Sequence, residues 1–159
     1  MKKIKLTQGK FTLVDNTDYD WLNEFKWCAV GKKGSFYCVR HVRKKEKTEA
    51  FYMHRIILSL NDPSVFVDHR NGNPLDNQRH NLRPCTCAEN IYNQKKQKGT
   101  SSRFKGVVWH KRDRRWQASI RHLNYQTYLG QFKFQTQAAR AYNEAAKEKF
   151  GEFSRLNKV

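Results

Sequence analysis

Val67-Asp-His-Arg-Asn-Gly-Asn-Pro-Leu-Asp-Asn-Gln-Arg-His-Asn-Leu-Arg-Pro-Cys-Thr-Cys-Ala-Glu-Asn90 is the stretch on which the reading of this chain turns. It sets a carboxylate beside an imidazole, Asp68 and His69, and follows them with two amides, Asn81 and Asn90. Carboxylate and amide oxygens are hard ligands that suit Mg²⁺ or Mn²⁺. An imidazole next to them suits proton abstraction from water near neutral pH. The local pattern predicts strand, long loop, strand, helix. Residues 65–69 make the first strand and deliver Asp68 and His69 at its end. Asn71-Gly-Asn-Pro74 is strong turn chemistry. Leu82 to Cys85 begins the second strand. Thr86, with Glu89 three residues on, forms a capping-box pattern that starts a helix running to about Gln97. Asn90 falls in the first turn of that helix.

The stretch resembles the HNH nucleases of the ββα-metal superfamily, especially the phage and intron-encoded branch. Every fixed position of that branch's pattern is filled, from Asp68, His69, Asn71 and Gly72 through Asp76, Asn77, Asn81, Leu82, Arg83 and Thr86 to Asn90. The resemblance implies that His69 is the general base and that Asp68 and Asn90 are metal ligands. It implies that Asn81 orients His69 or its loop. Arg83 is a candidate for a neighbouring phosphate or for a structural salt bridge. Asn90 stands where the family's name suggests histidine, and an amide favours magnesium over zinc. A looser likeness extends upstream, through Leu6, Thr7, Gly9 and Lys10 and through Met53-His54-Arg55. His54 is read as a packed or capping residue first and as an assistant to the site second.

Charge points to the partner. The chain holds 32 Lys and Arg against 14 Asp and Glu, a formal net charge of +18. Such an excess attracts polyanions and favours nucleic acid. It is split evenly, net +9 in residues 1–100 and net +9 in 101–159, so both halves are expected to meet phosphates. No apolar run approaches the length a membrane span needs, and the basic N-terminus lacks an apolar signal core. The expected location is the cytoplasm, that of the host if the chain is phage-encoded. There the four cysteines stay reduced. Cys85-Thr-Cys87 is a poor match to paired zinc-binding units, so the cysteines are read as packing residues.

The predicted fold class is α+β, with a β-rich N-terminal region leading into the ββα-metal motif at 65–97. Strands are expected at Lys10–Val14, Lys26–Val30, Ser35–Val42 and Glu49–Met53. Gly31-Lys-Lys-Gly34 reads as a hairpin turn, and the charged run Arg43–Lys47 separates two of the strands. Short helices are expected at Asp18–Phe25, capped by Asp18, and at His54–Leu60. The nuclease domain is then 1–97, and polar residues 98–102 form a linker.

Residues 103–159 read as a second, DNA-binding domain, a three-stranded antiparallel sheet packed on one helix. Strands are expected at Arg103–His110, Trp116–Arg121 and Tyr125–Phe132. Alternation puts Trp116, Ala118 and Ile120 on one face and Gln117, Ser119 and Arg121 on the other. A helix follows at Gln135–Phe150, capped by Thr136 and stopped by Gly151. Ala139, Tyr142, Ala146 and Phe150 lie on one stripe. Phe104-Lys-Gly-Val107, Trp116-x-Ala-x-Ile-Arg121, Tyr128-Leu-Gly-x-Phe132, Ala138 to Asn143, Ala145-Ala146 and Phe150-Gly151 resemble the plant ethylene-response-factor (APETALA-type) DNA-binding domain. In that family the sheet enters the major groove. By position, Lys105, Arg121, Gln126 and Tyr128 take contact places, and the basic turn contributes Arg112, Arg114 and Arg115. Val108 replaces a contacting arginine, and the first turn is one residue longer, so the plant family's target sequence does not carry over.

Together these features predict a Mg²⁺- or Mn²⁺-dependent DNA endonuclease, similar to phage homing endonucleases, acting on double-stranded DNA and on no small-molecule substrate. One active site per chain predicts a monomer or weak dimer. The alternative is a catalytically silent DNA-binding regulator.

Overall fold

Lysines alternating with Ile4 and Leu6 make an N-terminal strand, β1 (Lys2–Lys5), that pairs antiparallel with β2 (Phe11–Val14). The computed structural model describes every residue except Lys33 and Gly34, and its secondary structure is mixed α+β with small antiparallel sheets. The chain divides into two units, Met1–Cys87 and Ala88–Val159.

In the first unit, α1 (Asn16–Asn23) follows β2. Asp15 stands at its N-cap place, so Asp18 is not the cap. Asp18 lies inside the helix, buried, and accepts Nε–H and Nη2–H of Arg79 at 2.8 Å each. A buried carboxylate needs such a partner, and that need decides its place. Next come β3 (Cys28–Lys32), β4 (Ser35–Lys44) and β5 (Lys47–Tyr52), one antiparallel sheet in that order. The charged run does not stand apart from these strands: β4 continues to Lys44 and β5 starts at Lys47. Of the expected hairpin turn at 31–34, Lys33 and Gly34 lie outside the described residues. The next helix, α2 (Met53–Ile57), is shorter than expected. Its end coincides with Ser59 in a left-handed conformation, φ 53°.

Strands β6 (Phe66–His69) and β7 (Leu82–Cys85) then pair antiparallel, with Asp68 opposite Arg83 and His69 opposite Leu82. The core beneath gathers Ile4, Leu6, Val14, Leu22, Trp27, Met53, Ile57 and Leu82 from almost every element of the unit. Burying each of these side chains is worth roughly 1.5–3 kcal/mol.

The helix after β7, α3 (Cys87–Tyr92), ends at Tyr92 and not near Gln97. All but its first residue fall in the second unit, ahead of the linker expected at 98–102. The reason is local. Tyr92 stacks on Phe150 with ring centroids 4.0 Å apart, and its hydroxyl accepts the N–H of Leu123.

Strands β8 (Val107–His110), β9 (Arg115–His122) and β10 (Tyr125–Phe132) form the antiparallel sheet of this unit, with β9 central. Strand β8 starts at Val107, later than expected, because Gly106 just before it turns the backbone at φ +73°. A Cβ on Gly106 would lie 2.0 Å from the Tyr142 ring. The last helix, α4 (Gln135–Phe150), packs on the sheet through Ala138, Ala139, Tyr142, Ala146 and Phe150. Its N-cap place belongs to Phe134, not Thr136, and the Phe134 N–H donates to Oε1 of Gln137 at 3.4 Å. Gly151 ends it at φ 51° and donates its N–H to the Lys147 carbonyl.

Candidate active site and nucleic-acid interface

Strand β6 exists because Val67 faces the core while Asp68 and His69 come to its C-terminal end. Both are nearly buried, at 3% and 5% exposure. Asp68 Oδ2 accepts Nε–H of Arg83 at 2.8 Å and Nη2–H at 2.6 Å. The cross-strand register makes this pair. Of the two readings of Arg83, the salt bridge is what the structure holds. At 6% exposure its guanidinium is not presented to a phosphate.

His69 is oriented by a relay that begins far away in sequence. The Thr12 hydroxyl donates to the Leu75 carbonyl at 2.9 Å. Among the described residues its other acceptor is the Met53 sulfur at 4.0 Å, too long to compete for the proton. The Thr12 oxygen is therefore left as an acceptor, and Asn77 Nδ2–H donates to it at 2.8 Å. This sets the Asn77 amide with its oxygen toward His69, 3.2 Å from Nε2. An amide oxygen only accepts, so Nε2 must carry the proton. Nδ1 is then the basic nitrogen of the neutral ring. Burial holds the His69 imidazole below its ordinary pKa, against the opposing pull of Asn77, Asp68 and Asp76. The ring is thus neutral near pH 7, as a general base must be.

Asn81 meets the loop that follows His69. It does not touch the ring among the bonds resolved. Its Oδ1 accepts the Asn71 N–H at 3.0 Å, and its Nδ2–H donates to the Asp76 carbonyl at 2.7 Å. Asp76 in turn accepts Asn71 Nδ2–H and Gln78 Nε2–H. These bonds close the 70–81 loop, and the Leu13 N–H and C=O tie it to β2. Asn77, fully buried, is the orienting residue that sequence reading quoted without a role.

His54 lies in the site region. Its ring meets that of His69 edge-on, with centroids 5.3 Å apart and planes at 85°. Tyr52 and Tyr37 flank it at 5.5 and 6.0 Å. Among the described residues its buried Nδ1 finds no hydrogen-bond partner. Burial first, then His69 and Arg55, push its pKa down to about 3. His54 is thus packed, and the ring it packs against edge-on is that of His69.

Among the described residues no three His, Cys, Asp or Glu side chains gather as a metal cluster. None of the four cysteines is in a disulfide among the described residues, and Cys38 and Cys85 are buried. The donor chemistry at the end of β6 is one buried carboxylate. That suits a hard divalent ion completed by amide, water and phosphate oxygens, and not a thiolate zinc site. Asn90 sits in α3, in the second unit.

The second unit presents a different surface. Register places Val108 and His110 of β8, Arg115, Gln117, Ser119 and Arg121 of β9, and Gln126, Tyr128 and Gln131 of β10 on the sheet face away from α4. Arg121, Gln126 and Tyr128 are exposed there, and Gln126 Nε2–H reaches the Ser119 hydroxyl at 3.2 Å. In the turn, Asp113 is occupied by His110 and Gln131. Arg112, Arg114 and Arg115 of the same turn are exposed. Lys105 departs from expectation. Its ammonium donates to the carbonyls of Tyr92 at 2.6 Å and Gln94 at 2.9 Å. It is a structural clamp and not a phosphate contact.

The chain is 32% identical over 152 residues to an uncharacterized HNH endonuclease of Acanthamoeba polyphaga mimivirus, covering 96% of this chain and 77% of that one. Over 55 residues it is 36% identical to protein 3.8 of Escherichia phage T7, covering 35% of this chain and 46% of that one. No protein-family model matches the chain. No solved structure matches it.

Proposed function

The chain belongs to the HNH endonuclease family, and from that premise we propose that it is a divalent-metal-dependent DNA endonuclease with a sheet-based DNA-binding unit at its C-terminal end. The observation that carries this reading is the Thr12–Asn77–His69 relay, which leaves a neutral imidazole with Nδ1 as its basic nitrogen beside Asp68. His69 Nδ1 takes a proton from water, and the hydroxide so formed attacks phosphorus in line with the leaving 3′ oxygen. Buried surroundings keep the imidazole unprotonated until that moment. Asp68 and, as the motif implies, Asn90 would hold Mg²⁺ or Mn²⁺, which when bound offsets charge on the phosphate and the leaving oxygen. Arg83 holds Asp68 at the strand end, so the carboxylate's direction is set by the sheet register.

The C-terminal unit supplies duplex binding. Its likeness to the APETALA-type domain and its exposed Arg121, Gln126 and Tyr128 support a sheet placed in the major groove. Arg121 is the base-reading candidate, and its loss should cost roughly 1–3 kcal/mol at the preferred site. Arg112, Arg114 and Arg115 would hold the flanking phosphates. The relatives belong to a giant virus and a phage, which supports a mobile, homing-type enzyme.

The test is nicking of supercoiled plasmid with Mg²⁺, with Mn²⁺ and with EDTA, for the wild type and for His69→Ala. Metal-dependent nicking that His69→Ala abolishes, with duplex affinity retained, is the expected result. A wild type that binds duplex but cuts nothing under any divalent ion would instead establish the silent regulator.

A further inference from the structure

Beyond the β8 edge of the sheet, within the second unit, lies a cleft of about 520 Å³. Six cations line it, Lys95, Lys96, Arg103, Lys105, Arg155 and Lys158, and among the described residues no carboxylate does. Both walls are held by dedicated bonds. On one side the Lys105 ammonium grips the carbonyls of Tyr92 and Gln94, which fixes the chain just before Lys95 and Lys96. On the other side Asn157 fastens the end of the chain. Its Oδ1 accepts the Lys105 N–H at 2.7 Å and its Nδ2–H donates to the Lys105 carbonyl at 3.0 Å. Its own N–H and C=O are bonded to the Asn143 side chain at 2.7 and 2.9 Å. Those four bonds hold Arg155 and Lys158 against the other cations.

Cations gathered in one cleft make a positive potential that attracts an anion. Lys105 feels its surroundings, its pKa pushed down to about 8 by burial first and then by Arg155. The cleft is also continuous with the exposed sheet. Lys95, Lys96, Phe104 and Lys105 border an adjoining groove that runs on to Val108 and Ser119. Those two residues lie on the outward face of β8 and β9.

We infer that this cleft is a second phosphate site, one that takes the sugar–phosphate backbone of the duplex where it leaves the sheet. The inference rests on the reading of the chain as a DNA-binding nuclease. It adds Lys95, Arg103 and Lys158 to the interface, none of which lies on the sheet, while the Lys96 ammonium, like that of Lys105, is held inside the chain, by the Gln97 carbonyl and the Thr100 hydroxyl. Such contacts raise affinity for every sequence alike and carry no base information.

The experiment uses the full chain in EDTA with a fluorescein-labelled duplex of random sequence, read by anisotropy from 50 to 400 mM KCl. Each phosphate contact contributes about 0.9 to the slope of log K against log salt. The triple variant Lys95→Gln, Arg103→Gln, Lys158→Gln should flatten the slope by about 2 to 3 units, and each single variant by up to about 0.9. The singles preserve the test if the triple variant misfolds. Lys133→Gln, Lys147→Gln, Lys149→Gln removes the same charge elsewhere in the unit and should change the slope by less than about one unit. Equal flattening by both triple variants would mean a diffuse charge effect and would overturn the site. An unchanged slope in the cleft variants, with wild-type binding intact, would overturn the cleft alone. A wild type that binds no duplex would overturn both the cleft and the function it rests on.

Discussion

Replacing Thr12 by Val separates the orientation of His69 from everything else at the site. The two side chains share a shape and differ by the hydroxyl. The Leu75 carbonyl loses its bond from Thr12 but keeps the N–H of Leu13 at 2.9 Å. The group left without a partner is the Asn77 amide, which has no solvent exposure. An unsatisfied buried donor costs about 1–3 kcal/mol, so urea unfolding should shift by that amount. The catalytic effect follows from the same atom. In the wild type, turning the Asn77 amide over would break its bond to Thr12, a bias of about 0.5–1.5 kcal/mol. In the Val variant that bias is gone. The flipped amide presents its NH₂ to Nε2 and drives the proton to Nδ1, which disables the base. At about 1.4 kcal/mol per tenfold, kcat should fall roughly two- to tenfold while KM for DNA stays put. Thr12→Ser keeps both bonds and should restore the rate. Nitrogen-15 NMR of the imidazole reads the tautomer directly. Wild-type turnover with an unchanged Nε2–H signal in Thr12→Val would refute the relay.

Arg83→Met should destabilise the first unit by about 3–5 kcal/mol, because it strands the buried Asp68 carboxylate. Adding Asp68→Asn should recover much of that in chemical denaturation, and no recovery would mean the pair is not the cause. The folded protein keeps His54 neutral while the unfolded chain protonates near the ordinary value of 6.5. Stability from this group is therefore complete above that pH and is lost as pH falls from 6.5 toward about 3. At pH 5 the loss is about 2 kcal/mol, and His54→Leu should flatten the stability profile between pH 7 and 5 by that much. Gly106→Ala should lower stability by at least roughly 2 kcal/mol, from the clash with Tyr142 and the positive φ together. Hydrogen exchange should place that loss in the second unit, and protection equal to wild type there would contradict the packing described.

The parts of the fold that sequence displayed were those with local periodicity. The alternation of β9 and the stripe on α4 recur at fixed spacing, and the structure buries those same residues. The Asp68–His69 pair was legible for another reason, the contiguous motif from Asp68 to Asn90 that holds it. What was hidden depended on partners brought together by folding. Thr12 meets Asn77 across 65 residues and Asp18 meets Arg79 across 61, and neither spacing leaves a local mark. Asp18 looked like a helix cap because its type favours one, but burial of its carboxylate against the Arg79 guanidinium outweighed that preference. Lys105 looked like a phosphate contact. Its acceptors are backbone carbonyls, which every residue has and which no sequence pattern announces.

The anchoring of α3 has a consequence for how such a protein can be recombined. Composition invites a cut through the polar residues 98–102, where a reader module could be exchanged for another. A chimaera joined there would keep α3 but lose the Phe150 ring it stacks on and the lysine that holds its last carbonyls. With six residues, α3 is too short to persist by itself. The transferable module therefore begins after the end of β7 at Cys85, so that α3 travels whole with the rest of the second unit. A lineage that shuffled readers at the linker would have had to replace those supports each time. Exchange at the end of β7 carries them along intact.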